Sequence, residues 1–172
     1  MRRSLKIFFA ALLLSACDIE TDSPIVDWAP VNMRICVINN HKGDLLDPAN
    51  SNNILDGATL TFLEKTYSVD YSLIDKYEGA KAYLAVIKGF VLDTISVENQ
   101  PDSINYCLCF GEIDGAKDYD EDIKITWGDG SSDIINYKCC DHKESKLSCK
   151  RTWKVNGNKV KANTDFFYTF SK

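Results

Sequence analysis

Cysteine is the residue type here with the most chemistry on offer. Seven are present: Cys17, Cys36, Cys107, Cys109, Cys139, Cys140 and Cys149. The last six are even in number, and in an exported chain they point to disulfides. Cys107 and Cys109 fall on one face of a strand with Cα atoms about 7 Å apart, so a bridge between them is strained. Adjacent Cys139 and Cys140 are poor partners for each other. Closure of Cys149 to Cys139 or Cys140, across a polar loop at Asp141–Ser148, is the easiest bridge and is worth about 2–3 kcal/mol in the chain-entropy account. Cys36 completes the set of disulfide candidates. Cys107-x-Cys109, Cys139-Cys140-x-His142 and Cys149 also supply soft metal ligands. Their spacing matches no two-residue zinc knuckle, so no metal and no cofactor is expected.

Other chemistry is thin. Asp118, Asp120 and Asp122 alternate as in the opening of a calcium loop, but Ile123 occupies the place of the sharp-turn glycine. A solvated acidic loop is the expectation. Cys140-Asp141-His142 invites a nucleophile reading, yet Gly-x-Ser-x-Gly, phosphate-loop and zinc-protease patterns are absent and His41 and His142 are the only histidines. The chain is therefore read as a non-enzyme without catalytic residues, a hydrolase or metal-dependent enzyme being the alternative. Among the three tryptophans, Trp127 alternates with Ile123 and Ile125 and belongs to a core, whereas Trp28 and Trp153 are candidate ligand-facing aromatics for stacking on a glycan.

The amino-terminal residues supply an address. Arg2, Arg3 and Lys6 precede the apolar run Ile7–Leu14, which closes on Ser15, Ala16 and Cys17. This is the layout of a secretory signal, and the run is far shorter than the roughly 20 residues that span a bilayer. Leu14-Ser15-Ala16-Cys17 resembles the bacterial lipobox, which implies lipidation of Cys17 after removal of residues 1–16. Several acyl chains on one residue anchor a protein stably without spanning the membrane. That cleavage removes three basic residues and no acid, taking the net charge from −5 to −8. Asp18, Glu20, Asp22 and Asp27, with Pro24, mark residues 17–29 as an acidic tether. An acidic stretch after a lipidated cysteine resembles a surface-export signal of gut Bacteroidetes, which implies an outer-membrane, surface-exposed lipoprotein, with a periplasm-facing one as the alternative.

Residues 30–172 must form whatever positions the cysteines. The full chain has 172 residues, 45% hydrophobic and 11% aromatic, too apolar for a disordered chain. With a pI near 5.0 it is also too acidic to bind nucleic acid through bulk charge. Period-two alternation recurs at Val31–Val37, Ala58–Leu63, Thr66–Leu73, Ala82–Ile87, Phe90–Val97, Ile104–Phe110, Ile123–Trp127, Asp133–Lys138 and Phe166–Phe170. Asn156-Gly157 between Lys154-Val155 and Asn158-Val160 is a two-residue hairpin signal. No sustained helical period occurs. About 8–10 short strands predict a single all-β domain, an immunoglobulin-like or Greek-key β-sandwich, with a β-barrel as the alternative. In this reading Cys36, Cys107 and Cys109 lie on the side of their strands away from the main core face.

An ordered set of segments is similar to a family of uncharacterised Bacteroidetes lipoproteins. The set comprises Asp27-Trp28-Ala29-Pro30-Val31-Asn32, Gly43-Asp44-Leu45-Leu46-Asp47-Pro48, Asn52-Asn53-Ile54-Leu55, Phe110-Gly111-Glu112-Ile113-Asp114-Gly115, Ile125-Thr126-Trp127-Gly128-Asp129-Gly130-Ser131 and Arg151-Thr152-Trp153-Lys154-Val155-Asn156-Gly157. The resemblance implies a lipid-anchored β-sandwich and assigns no activity or site residue. The expected partners are the membrane, through the lipid, and a glycan or envelope protein bound by an accessory module. A structural component of a surface assembly is a further alternative.

Overall fold

The computed structural model describes residues 30–72, 87–97, 100–143, 148–162 and 165–172, with only the backbone described for the strand residues within 96–105 and 140–149. The described part is all-β. Its ten strands are β1 (Val31–Ile38), β2 (Thr59–Phe62), β3 (Lys65–Asp70), β4 (Phe90–Val97), β5 (Gln100–Ile113), β6 (Tyr119–Thr126), β7 (Ser132–Lys143), β8 (Ser148–Val155), β9 (Asn158–Val160) and β10 (Phe166–Ser171). They form one open mixed sheet in the order β10-β1-β5-β4-β3-β2-β6-β7-β8-β9. β1 runs parallel to β10, and β3 parallel to β4; every other pairing is antiparallel. β9 and β10 end the order without pairing to each other, so the sheet is not closed into the alternative barrel.

The alternation read from the sequence sets the core. Val31, Met33, Ile35 and Val37 are fully buried along β1, as are Ile123 and Ile125 on β6. Strands far apart in the sheet order meet through rings. Trp153 of β8 packs on Phe166 of β10 at 4.5 Å, and Trp127 packs edge-on to Phe170 at 6.0 Å. Such contacts are consistent with a β-sandwich. Asn156 and Gly157 both take positive φ, 48° and 81°, which a type I′ hairpin turn requires.

The chain departs from its expected elements where polar sequence still finds a ladder partner. β6 begins at Tyr119, so the acidic run is strand and not a loop: Asp120 pairs with Lys138 and Asp122 with Asn136 in register. β7 continues to Lys143 and β8 starts at Ser148, so residues 141–143 and Ser148 of the expected loop are strand, and residues 144–147 lie outside the described residues. Most of the strand expected at Ala82–Ile87 lies outside the described residues; Ile87 itself is not in a strand.

One joint is short. β3 and β4 share only the pairs Val69–Phe90 and Asp70–Val91. Glu112 of β5 reinforces it, accepting hydrogen bonds from the Tyr67 hydroxyl (2.7 Å), the Gly89 N–H (2.8 Å) and Lys65 Nζ (3.2 Å). Burial alone would raise the Glu112 pKa, but these donors hold it below the ordinary value. The carboxylate thus fixes the entry into β4.

Candidate functional site

The outward face of β1, β5 and β4 carries the densest reactive cluster. Alternation sends Arg34 and Cys36 from β1, Cys107 and Cys109 from β5, and Val91 and Asp93 from β4 to the side opposite the core. Register then brings them together. Arg34 and Val91 flank Cys109 on either side, and Asp93 lies beside Cys107. One step along from the Ile35–Leu108 pair, Cys36 comes abreast of Cys107. Cys36, Cys107 and Cys109 form a buried cluster separate from the main core, with Ile87 and Ile95 packed against it. The sulfurs of Cys107 and Cys109 stand 3.7 Å apart, and an Asp93 carboxylate oxygen stands 4.0 Å from Cys109 Sγ. One ligand atom from each of Asp93, Cys107 and Cys109 falls within 4.8 Å of the other two.

The electrostatics of the pair are asymmetric. The hydrogen bond between the two sulfurs raises the pKa of Cys107, and burial raises it further. The same bond lowers that of Cys109 against the opposing effects of burial and Asp93, with Arg34 also favouring the thiolate. Cys36 is pushed up to about 11 by burial, then by the charges of Asp44 and Cys109. The arrangement can hold one thiolate against one thiol, coordinate a soft cation, or oxidise. Both β5 sulfurs are 0% exposed.

The other residues singled out from sequence are scattered. Cys17 and Trp28 lie outside the described residues, as do the side chains of Cys140 and Cys149. Cys139 faces the main core, apart from the β5 cysteines. Trp153 is packed away from solvent: it is 1% exposed, with Tyr137 at 4.3 Å and Phe166 at 4.5 Å. It sits in the inward phase of β8, and a large ring there fills the core instead of standing in solvent. Among the described residues there is no disulfide, and Cys36, Cys107 and Cys109 are thiols. Asp93 was missed by sequence reading. Its only signal was parity within a β-branched strand, and parity does not reveal which strand lies next door.

A second polar surface lies on the outward face of β6 and β7. Lys138 Nζ contacts Asp120 at 2.5 Å, and Asn136 Nδ2 donates to Asp122 at 3.0 Å. Beside them runs a groove of about 550 Å³, lined by Thr61, Leu63, Glu64, Lys124 and the acidic run. Leu63, at the β2–β3 turn, is 52% exposed. Comparison with family models, curated proteins and solved structures returns no match for this chain.

Proposed function

We propose that this chain is a lipid-anchored envelope or cell-surface protein whose β-domain is a non-catalytic binding or accessory module for a glycan or another envelope protein. The observation that carries the binding part is the groove beside β6 and β7. Carboxylates, the Asn136 amide and the Lys124 ammonium group converge there next to one exposed apolar side chain. Alternating acceptors and donors suit the hydroxyls of a sugar or the backbone of an extended peptide, and Leu63 offers the apolar contact such ligands need. The lipobox at Leu14–Cys17 and the resemblance to Bacteroidetes lipoproteins support the anchoring part. Residues 17–29, acidic and carrying Pro24, then serve as the tether between lipid and domain.

Two experiments test the reading. Cys17→Ser should release the protein from membranes or leave it unprocessed, and protease added to intact cells should digest the wild-type domain. Unchanged partition and mobility of the variant would overturn the anchor, and survival of the domain until the outer membrane is broken would place it facing the periplasm. For binding, the wild-type protein should give hits on a glycan array or against extended envelope peptides, and Asp122→Ala with Asn136→Ala should lose them. Hits that persist in the double variant would move the site elsewhere; none on either screen would refute the module.

A further inference from the structure

We infer that Cys107, Cys109 and Asp93, with Cys36 as fourth ligand, form a closed site for a zinc-class divalent cation. The argument begins with distance. A tetrahedral zinc with Zn–S bonds near 2.3 Å sets two thiolate sulfurs roughly 3.8 Å apart, and a carboxylate oxygen on the same ion roughly 3.5 Å from each sulfur. The Cys107 and Cys109 sulfurs are already 3.7 Å apart, and Asp93 Oδ2 is 4.0 Å from Cys109. The third side, Asp93 to Cys107, lies within 4.8 Å, so a movement of about an ångström of the carboxylate would close the triangle. Two thiols at i and i+2 on one strand would need only to avoid each other; no packing rule turns a carboxylate from the neighbouring strand toward them.

The chemistry of the set chooses the ion. Thiolates alone would favour Cu(I), whereas a carboxylate among them suits a borderline cation such as zinc. Burial chooses the fourth ligand. Cys36 belongs to the same buried cluster but stands outside the 4.8 Å group of Asp93, Cys107 and Cys109, so its sulfur must swing inward to give the four protein ligands that a closed structural site takes in preference to water. The site would clamp β1, β5 and β4, three adjacent strands. On binding, each ligating thiol gives up its proton to solvent.

Cobalt(II) titration of the full-length wild-type protein, reduced and held under argon in detergent, is the test. One equivalent of cobalt should produce intense thiolate-to-metal charge transfer with tetrahedral ligand-field bands, and zinc should displace it. Cys36→Ser should lower the charge-transfer intensity by about a third, one metal–sulfur bond of three. Cys107→Ser with Cys109→Ser should abolish it, while Cys139→Ser, altering a cysteine that faces the main core, should leave it intact. A reduced wild-type protein that binds no cobalt through sulfur would overturn the assignment. So would a native disulfide between any two of Cys36, Cys107 and Cys109 in protein taken from the envelope. The wild-type titration decides the matter even if the double variant does not fold.

Discussion

Trp127 donates its indole N–H to Asp133 at 2.6 Å, tying the residue after β6 to the second residue of β7 across the turn that joins them. Asp133 also accepts Asn156 Nδ2 at 2.8 Å and meets Lys172 Nζ at 3.1 Å. Burial pushes its pKa up, but these three donors outweigh burial and hold it below the ordinary carboxylate value. Asp133→Ala should therefore cost about 3 kcal/mol at neutral pH, because it strands an indole donor and an ammonium group. The depressed folded pKa places this contribution above the unfolded value near ~3.9, and it is lost as pH falls through the lower folded value. Urea unfolding at neutral and acid pH checks both points: the gap between wild type and variant should narrow in acid.

Asp44 should titrate the other way. It accepts backbone N–H bonds from Leu46 (2.8 Å) and Tyr106 (2.7 Å), yet burial dominates and raises its pKa. Its contribution to stability is thus fully present below the unfolded pKa and lost as pH rises through the folded one. Carboxyl-carbon NMR titration should place Asp44 above and Asp133 below the ordinary value of about 3.9. The reverse order would show that the Asp44 donors outweigh its burial.

Two glycines in one turn should respond differently to alanine. A Cβ on Gly128 would meet the Asp56 carbonyl oxygen at 2.2 Å and that of Ile54 at 3.0 Å. The approach is fixed by the hydrogen bond from Gly128 N–H to Ile54 O at 2.8 Å. Gly128→Ala should cost about 3 kcal/mol, since backbone must move. Gly130 has open space but φ +81°, so Gly130→Ala should cost only about 1 kcal/mol of left-handed strain. Thermal unfolding of the pair decides it, and equal losses would contradict the close approach.

Non-reducing peptide mapping of the exported protein should find Cys149 bridged to Cys139 or Cys140. Along β8, Cys149 lies two residues from Arg151, which pairs with Cys139, and one from Lys150, which pairs with Cys140. Cys149 joined to Cys36, or left as a thiol, would refute the bridge.

What could be read from the chain was phase; what could not was adjacency. Alternation from Val31 to Val37 separated a core face from a cysteine face, and Asn156-Gly157 announced its turn, because both depend on neighbours in sequence. Placing Asp93 beside Cys107 needed the β4–β5 register, which is set by a pairing no local pattern encodes. Trp153 shows the same limit: its burial comes from Phe166 on a strand at the opposite end of the sheet order. The acidic run misled because charge was read as loop, whereas Lys138 and Asn136 opposite make it a good strand face.

The position of β1 between β5 and β10 carries a consequence for how the chain comes to be folded. The first described strand finds its two neighbours only later, one from mid-chain and one as the tenth strand. Until both are delivered, Val31–Val37 is an apolar template with bare backbone on each side, open to pairing with any other strand in reach. Folding of this sheet is thereby coupled to delivery of its tenth strand. A chain stalled or clipped before Phe166 should be sticky rather than merely loose, and it would depend on a holding chaperone until the missing strand is supplied.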